Sequence, residues 1–261
     1  MKFSGILLVA SLAAFSVHAE FRTWEDIRGK KYEAEFVREL MDKVTLRTAD
    51  GQEVRIPVEE FSERDQLYMR VNIPPVFTVD FKRDPLVAPT PRGDWEEYVK
   101  TECLIAGGTA VITKTSNREF TSRLKAELFL IAEEAEIDSD NYILLTKTDS
   151  SFLFEPGKPH TFKAKPYTMR KYYQYGYFYS NQERGEVYAG YLLVVSDRNG
   201  KILTTKTDLG NWIEDPAVIQ NLRDLAIRGA ASIRSRHFDK AGKKAKVPRC
   251  IDKSPQVGGG G

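Results

Sequence analysis

Only a handful of residues in this chain have the type and spacing to do chemistry. Glu133, Glu134 and Glu136 stand close enough in sequence to serve as an acid and a base, as glycoside hydrolysis requires. Nothing in their pattern sets two of them across a cleft, and a charged outer face explains them as well. His160 and His237 are the histidines beyond residue 19, and neither adjoins a nucleophile motif. Asp138-Ser139-Asp140-Asn141 opens like a calcium loop, but the loop's sixth position is no glycine and its twelfth no glutamate. That excludes an EF-hand and leaves a looser rim site open. The chain has no G-x-S-x-G, P-loop or H-E-x-x-H sequence. Two cysteines are too few for an all-cysteine zinc or iron–sulfur site. No catalytic residue, metal ligand or cofactor is therefore expected. The chain reads as a binding protein.

Tyr173, Tyr175, Tyr177 and Tyr179 recur at period two and so share one face of a strand. Such a ladder can fill a core, pair across strands, or stack on sugar rings. The last option makes carbohydrate or cell-envelope polymer the alternative ligand class.

The N-terminus sets the compartment in which these residues would work. Met1-Lys2 is followed by an apolar run over residues 5–15 and then by Val17-His18-Ala19. The run suits a signal peptide and is too short to span a bilayer, which takes roughly 20 residues. Residues 1–19 are read as a leader, the rest as exported to the periplasm or beyond, with no transmembrane anchor. In an oxidising compartment Cys103 and Cys250 invite a disulfide. It would close a long loop, contributing about 4–5 kcal/mol by chain entropy. A buried Cys103 with a stray Cys250 is the other reading. From Arg228 to Arg249 eight Lys and Arg stand against Asp239 alone, ahead of a terminal glycine run. Residues 236–261 read as a basic, disordered tail, and export argues against nucleic acid as its partner.

Stepping along the body, residues 21–70 alternate apolar and polar over several short runs. Tyr32, Ala34 and Phe36 share a face, as do Val44 and Leu46; Asp50-Gly51 marks a tight hairpin before Val54–Val58. Ser62-Glu63-Arg64-Asp65 looks like a capping box opening a short helix. About five short strands and one helical turn make a small barrel.

Arg22-Thr23-Trp24, Glu33-Ala34-Glu35-Phe36-Val37, Val44-Thr45-Leu46, Asp50-Gly51, Ile56-Pro57-Val58 and Phe61-Ser62-Glu63-Arg64-Asp65-Gln66 together resemble the SLA1 homology domain 1. The resemblance implies an SH3-like barrel over residues 20–71. The family's yeast member is an endocytic adaptor that binds Asn-Pro-Phe-x-Asp peptides. Family-level roles include adaptor activity and binding to cytoskeletal proteins, ubiquitin or like chains. Similar modules occur in exported proteins of planctomycete- and verrucomicrobium-like bacteria. By this resemblance Arg47 and Arg55, flanking the Asp-Gly hairpin, are the candidates for holding the peptide's acidic residue.

Ile73-Pro74-Pro75 ends the helix by removing backbone donors. Strand signals then recur: 76–81, 102–106, 110–113, 124–131, 142–146, 151–154, 172–179, 187–196 and 201–205. Gly107-Gly108 and Asp197–Gly200 read as hairpin turns. Asp215 and Pro216 open a helix with Val218, Leu222 and Leu225 on one face. The expected architecture is mainly β: a small SH3-like barrel, then a β-sandwich over 76–235 with one C-terminal helix. The oligomeric state is not legible in the pattern.

Overall fold

A computed structural model of the chain describes residues 21–86, 99–135, 141–174, 182–228 and 236–245. These residues form fourteen strands in three antiparallel sheets and two α-helices. The chain divides into two compact units, Met1–Arg70 and Val71–Gly261. None of the described helices is long and apolar enough to cross a membrane.

The first unit contains β1 (Arg22–Glu25), β2 (Lys31–Leu40), β3 (Lys43–Thr48) and β4 (Glu53–Pro57), paired in that order. Alternation buries Trp24, Ala34, Val44, Leu46 and Ile56 on one face. Helix α1 (Glu63–Asn72) follows. Sequence reading expects five strands and one helical turn; four strands and ten helical residues form instead. The described strands do not close into a full barrel. One bridge, Asp26–Phe61, joins the two ends of the sheet. Beside it, Ile27 N–H donates to Glu60 O and Ser62 N–H to Glu25 O, each at 2.8 Å.

The second unit continues with β5 (Phe77–Arg83), β6 (Val99–Ala106), β7 (Gly108–Lys114), β8 (Leu124–Glu134) and β9 (Tyr142–Phe152). Next come β10 (His160–Lys163), β11 (Tyr167–Gln174), β12 (Gln182–Ser196), β13 (Ile202–Thr207), helix α2 (Pro216–Arg228) and β14 (His237–Phe238). The smaller sheet runs β10-β7-β5, and the larger β14-β9-β8-β12-β11-β6, with β13 also on β12. Ala110 and Ile112 of β7, with Phe77, Val79 and Phe81 of β5, pack onto Ala126, Leu128, Leu130, Leu193 and Val195. The opposite face of the larger sheet is covered by Val218, Ile219, Leu222 and Leu225 of α2. Strands β8 and β12 are thus buried on both faces, which explains their continuous apolar runs. Each large aliphatic side chain removed from water there contributes about 1.5–3 kcal/mol.

Two expectations are corrected. Gly107-Gly108 is not a hairpin turn, because β6 and β7 belong to different sheets. A Cβ on Gly108 would fall 2.3 Å from Phe81 Cζ and 2.7 Å from Lys82 O, so close packing explains the glycine. Nor are residues 236–245 a disordered tail. His237 and Phe238 pair with Ile143 and Tyr142 of β9, and Phe238 is fully buried against the α2 core. Residues 246–261 lie outside the described ones.

Candidate functional site

The motif residues of the first unit turn inward. Ser62 caps α1: its Oγ accepts from Asp65 N–H at 3.3 Å. Asp65 is buried and takes three further contacts, from Glu25 N–H at 2.7 Å, Ser62 Oγ at 3.3 Å and the Arg22 guanidinium. That guanidinium also lies 3.6 Å from the Tyr68 ring centre and 4.5 Å from that of Trp24. Trp24 donates its Nε1–H to Ala34 O at 3.0 Å and meets Phe61 edge-on. Gln66 returns a 2.8 Å bond to Phe61 O. Arg22, Trp24, Phe61, Ser62, Asp65 and Gln66 therefore pin α1 to β1; their role is structural.

The outward face of β2, β3 and β4 is ordered in cross-strand rows, since paired residues share a side. One row is Glu35, Arg47 and Glu53, the next Arg38, Thr45 and Arg55, the last Leu40, Lys43 and Pro57. Arg47 is tied to Glu35 at 3.2 Å and Glu53 at 3.4 Å. Arg38 and Arg55 are exposed on either side of buried Thr45 and form no ion pair among the described residues. Above them the β2–β3 turn presents Leu40 at 62% and Met41 at 86% exposure. Arg38 and the Leu40–Met41 tip escaped sequence reading; the exposed pair in an otherwise alternating strand was their only signal.

Residues 14–73 match the SLA1 homology domain 1 family. The match spans less than a quarter of the chain and marks a protein-binding domain. The buried contacts of Arg22, Trp24, Ser62 and Asp65 fall within the matched residues. No curated protein matches the chain. Among solved structures, one from Akkermansia muciniphila is 13% identical with a TM-score of 0.24, covering 53% of this chain and 75% of that one. A structural-genomics target, SoR45, is 13% identical with a TM-score of 0.17, covering 50% of this chain and 84% of its own.

Beyond the matched residues lie the other sequence candidates. Tyr173 pairs with Lys100 and Glu183 near the end of β11; Tyr175, Tyr177 and Tyr179 lie outside the described residues. Cys103 is a half-buried free thiol on β6, opposite Arg170, and Cys250 lies outside the described residues. So do Glu136, Asp138 and Asp140. His160 stacks on Phe152 at 4.1 Å, with its Nε2 2.9 Å from Ser150 Oγ. Burial pushes its pKa down, and the ring ties the two sheets together. Glu134 does not lie on a charged outer face: it is buried, opposite Glu186 in the β8–β12 ladder and beside His237. Three strands far apart in sequence assemble that cluster, so no local spacing reveals it. No group of three His, Cys, Asp or Glu among the described residues is arranged to hold a metal.

Proposed function

We propose that the first unit binds an extended peptide partner across its outward face and that the chain works as an exported adaptor without catalytic activity. Arg38 and Arg55 would grip an acidic side chain, and the Leu40–Met41 tip an apolar one. The observation that carries this reading is the spacing of the two rows. They stand two residues apart along β2, about 6.5–7 Å in an extended strand. The Asn-Pro-Phe-x-Asp peptides of the yeast relative place Phe and Asp at that same two-residue interval. Arg38, instead of the ion-paired Arg47, is the partner this reading gives to Arg55. Export rests on the leader expected over residues 1–19.

The test is calorimetric titration of the full chain with an Asn-Pro-Phe-x-Asp peptide and a scrambled control. Arg38→Glu and Arg55→Glu are each expected to weaken binding by about tenfold or more, and Arg47→Ala by less than about threefold. Equal binding of the scramble would sink the reading.

A further inference from the structure

The interior of the second unit holds a set of titratable side chains that no ordinary core would keep. Glu134 of β8 and His237 of β14 are both buried, at 0% and 1% side-chain exposure, with Oε2 and Nε2 3.5 Å apart. Neither carboxylate oxygen of Glu134 and neither ring nitrogen of His237 has a hydrogen-bond partner among the described residues. Glu186 of β12 is the cross-strand neighbour of Glu134 and points to the same side. From β11, Tyr167 donates its hydroxyl to Glu186 Oε1 at 2.8 Å, and Arg170 donates its backbone N–H to Oε2 at 3.1 Å. Tyr188 follows on the same face of β12 with a buried hydroxyl, also without a hydrogen-bond partner among the described residues. Arg236 lies over the Tyr167 ring at 5.8 Å and donates to Leu145 O at 3.1 Å. Burial raises the pKa of Glu186, against the hydrogen bonds from Tyr167 and Arg170. The Tyr167 hydroxyl is likewise pushed up by burial and by Glu186 itself.

The segment carrying His237 is held by the buried Phe238 ring and by few hydrogen bonds. Its ladder to β9 is two residues long. Ala245 N–H returns to His237 O at 2.9 Å, and Asn221 Nδ2 reaches Ala241 O at 3.0 Å. The protons shared by the set therefore bear directly on its docking. Counted with the Arg236 guanidinium, which faces Glu186, three protons on Glu134, Glu186 and His237 leave two cations without a counter-ion. With none, two neighbouring buried anions share that one guanidinium among the described residues. The state with one proton is neutral, with two charge pairs. An unpaired buried charge costs several kcal/mol, comparable with what the two-residue ladder and the buried Phe238 ring supply.

We propose that Glu134, Glu186 and His237 form a proton-counting latch that docks residues 236–245 at intermediate pH and releases them on either side. Release would bare the apolar seat of Phe238 between β9 and α2.

Hydrogen exchange of the full chain across pH, corrected for intrinsic rates, tests this. The Ala245 amide is expected to be most protected at intermediate pH and to lose about tenfold or more at each extreme. The Thr115 amide, which donates to the Val76 carbonyl of the same unit at 2.9 Å, serves as the internal control and is expected to stay level. Glu186→Gln, which removes one of the two anions, is expected to flatten the alkaline limb alone. A level Ala245 profile, a control amide that falls in parallel, or an unchanged alkaline limb in Glu186→Gln would each overturn the proposal. Should Glu186→Gln fail to fold, the wild-type profile against its control amide decides alone.

Discussion

Glu127 and Glu134 occupy one strand, and the fold treats them in opposite ways. Glu127 is 1% exposed and surrounded by cations: Arg223 of α2 donates from Nε at 2.9 Å and Nη2 at 2.5 Å. Lys147 stands at 2.9 Å and Lys125 at 3.2 Å. Burial alone would raise its pKa, but the bonds from Arg223 and Lys147 hold it below the ordinary carboxylate range. A lowered carboxylate pKa means stability present above the unfolded value and lost as pH falls through the folded one. Arg223→Ala is expected to cost about 2–3 kcal/mol at neutral pH, by stripping two charge-assisted bonds from a buried anion. In urea denaturation followed from about pH 7 down to about pH 3, the variant's loss of stability should also be shallower. Equal slopes would deny Glu127 this role. At this scale the sequence was legible only in part. Glutamates inside the apolar run 124–134 are visible, but whether each meets cations or a histidine depends on α2 and β14, which join only in three dimensions.

Turns carry the next scale. Asp26, Asp197 and Asp239 each open an Asp-x-x-Gly-Lys turn of one design. In each, the aspartate Oδ1 accepts two backbone N–H groups, two and four residues on, at 2.8–2.9 Å. The glycine takes positive φ, +80°, +83° and +70° in turn. The middle one was readable as a hairpin because strand-like runs flank it. The last was hidden because eight cations over residues 228–249 made Phe238 look like part of a solvated tail. The β2–β3 turn is built differently. Met41 and Asp42 hold φ of +50° and +58°, a left-handed pair that costs each L-residue roughly 1–2 kcal/mol. Strain of this kind, beneath an exposed methionine, is what a recognition tip retains. Replacing Met41-Asp42 by Asn-Gly should raise the stability of the first unit by about 1 kcal/mol in urea denaturation while weakening the peptide binding proposed above. A variant that gains stability and binds unchanged would remove the tip from the site.

For the whole molecule, the mainly β class was legible because short apolar runs punctuated by turn residues recur through the chain. The sheet partition was not, since β6 and β7 follow one another in sequence yet pair in different sheets. Nor was the seat of β14, which reaches back to β9 across the length of α2. Phe238 is fully buried among Phe129, Leu144, Ile219 and Leu222, and its ring lies 5.7 Å from that of Tyr142, which in turn meets Trp212 at 4.8 Å. Truncating it leaves a cavity flanked by a sheet and a helix that cannot both collapse inward. Phe238→Ala is therefore expected to cost about 3–5 kcal/mol, read as a lower transition midpoint in urea. Peptide binding at the outward face of β2–β4 should remain within about twofold of wild type, because the residues of that face and their core belong to the other unit. A Phe238→Ala chain of wild-type stability would mean that residues 236–245 contribute nothing to the fold, and the latch would have nothing to hold.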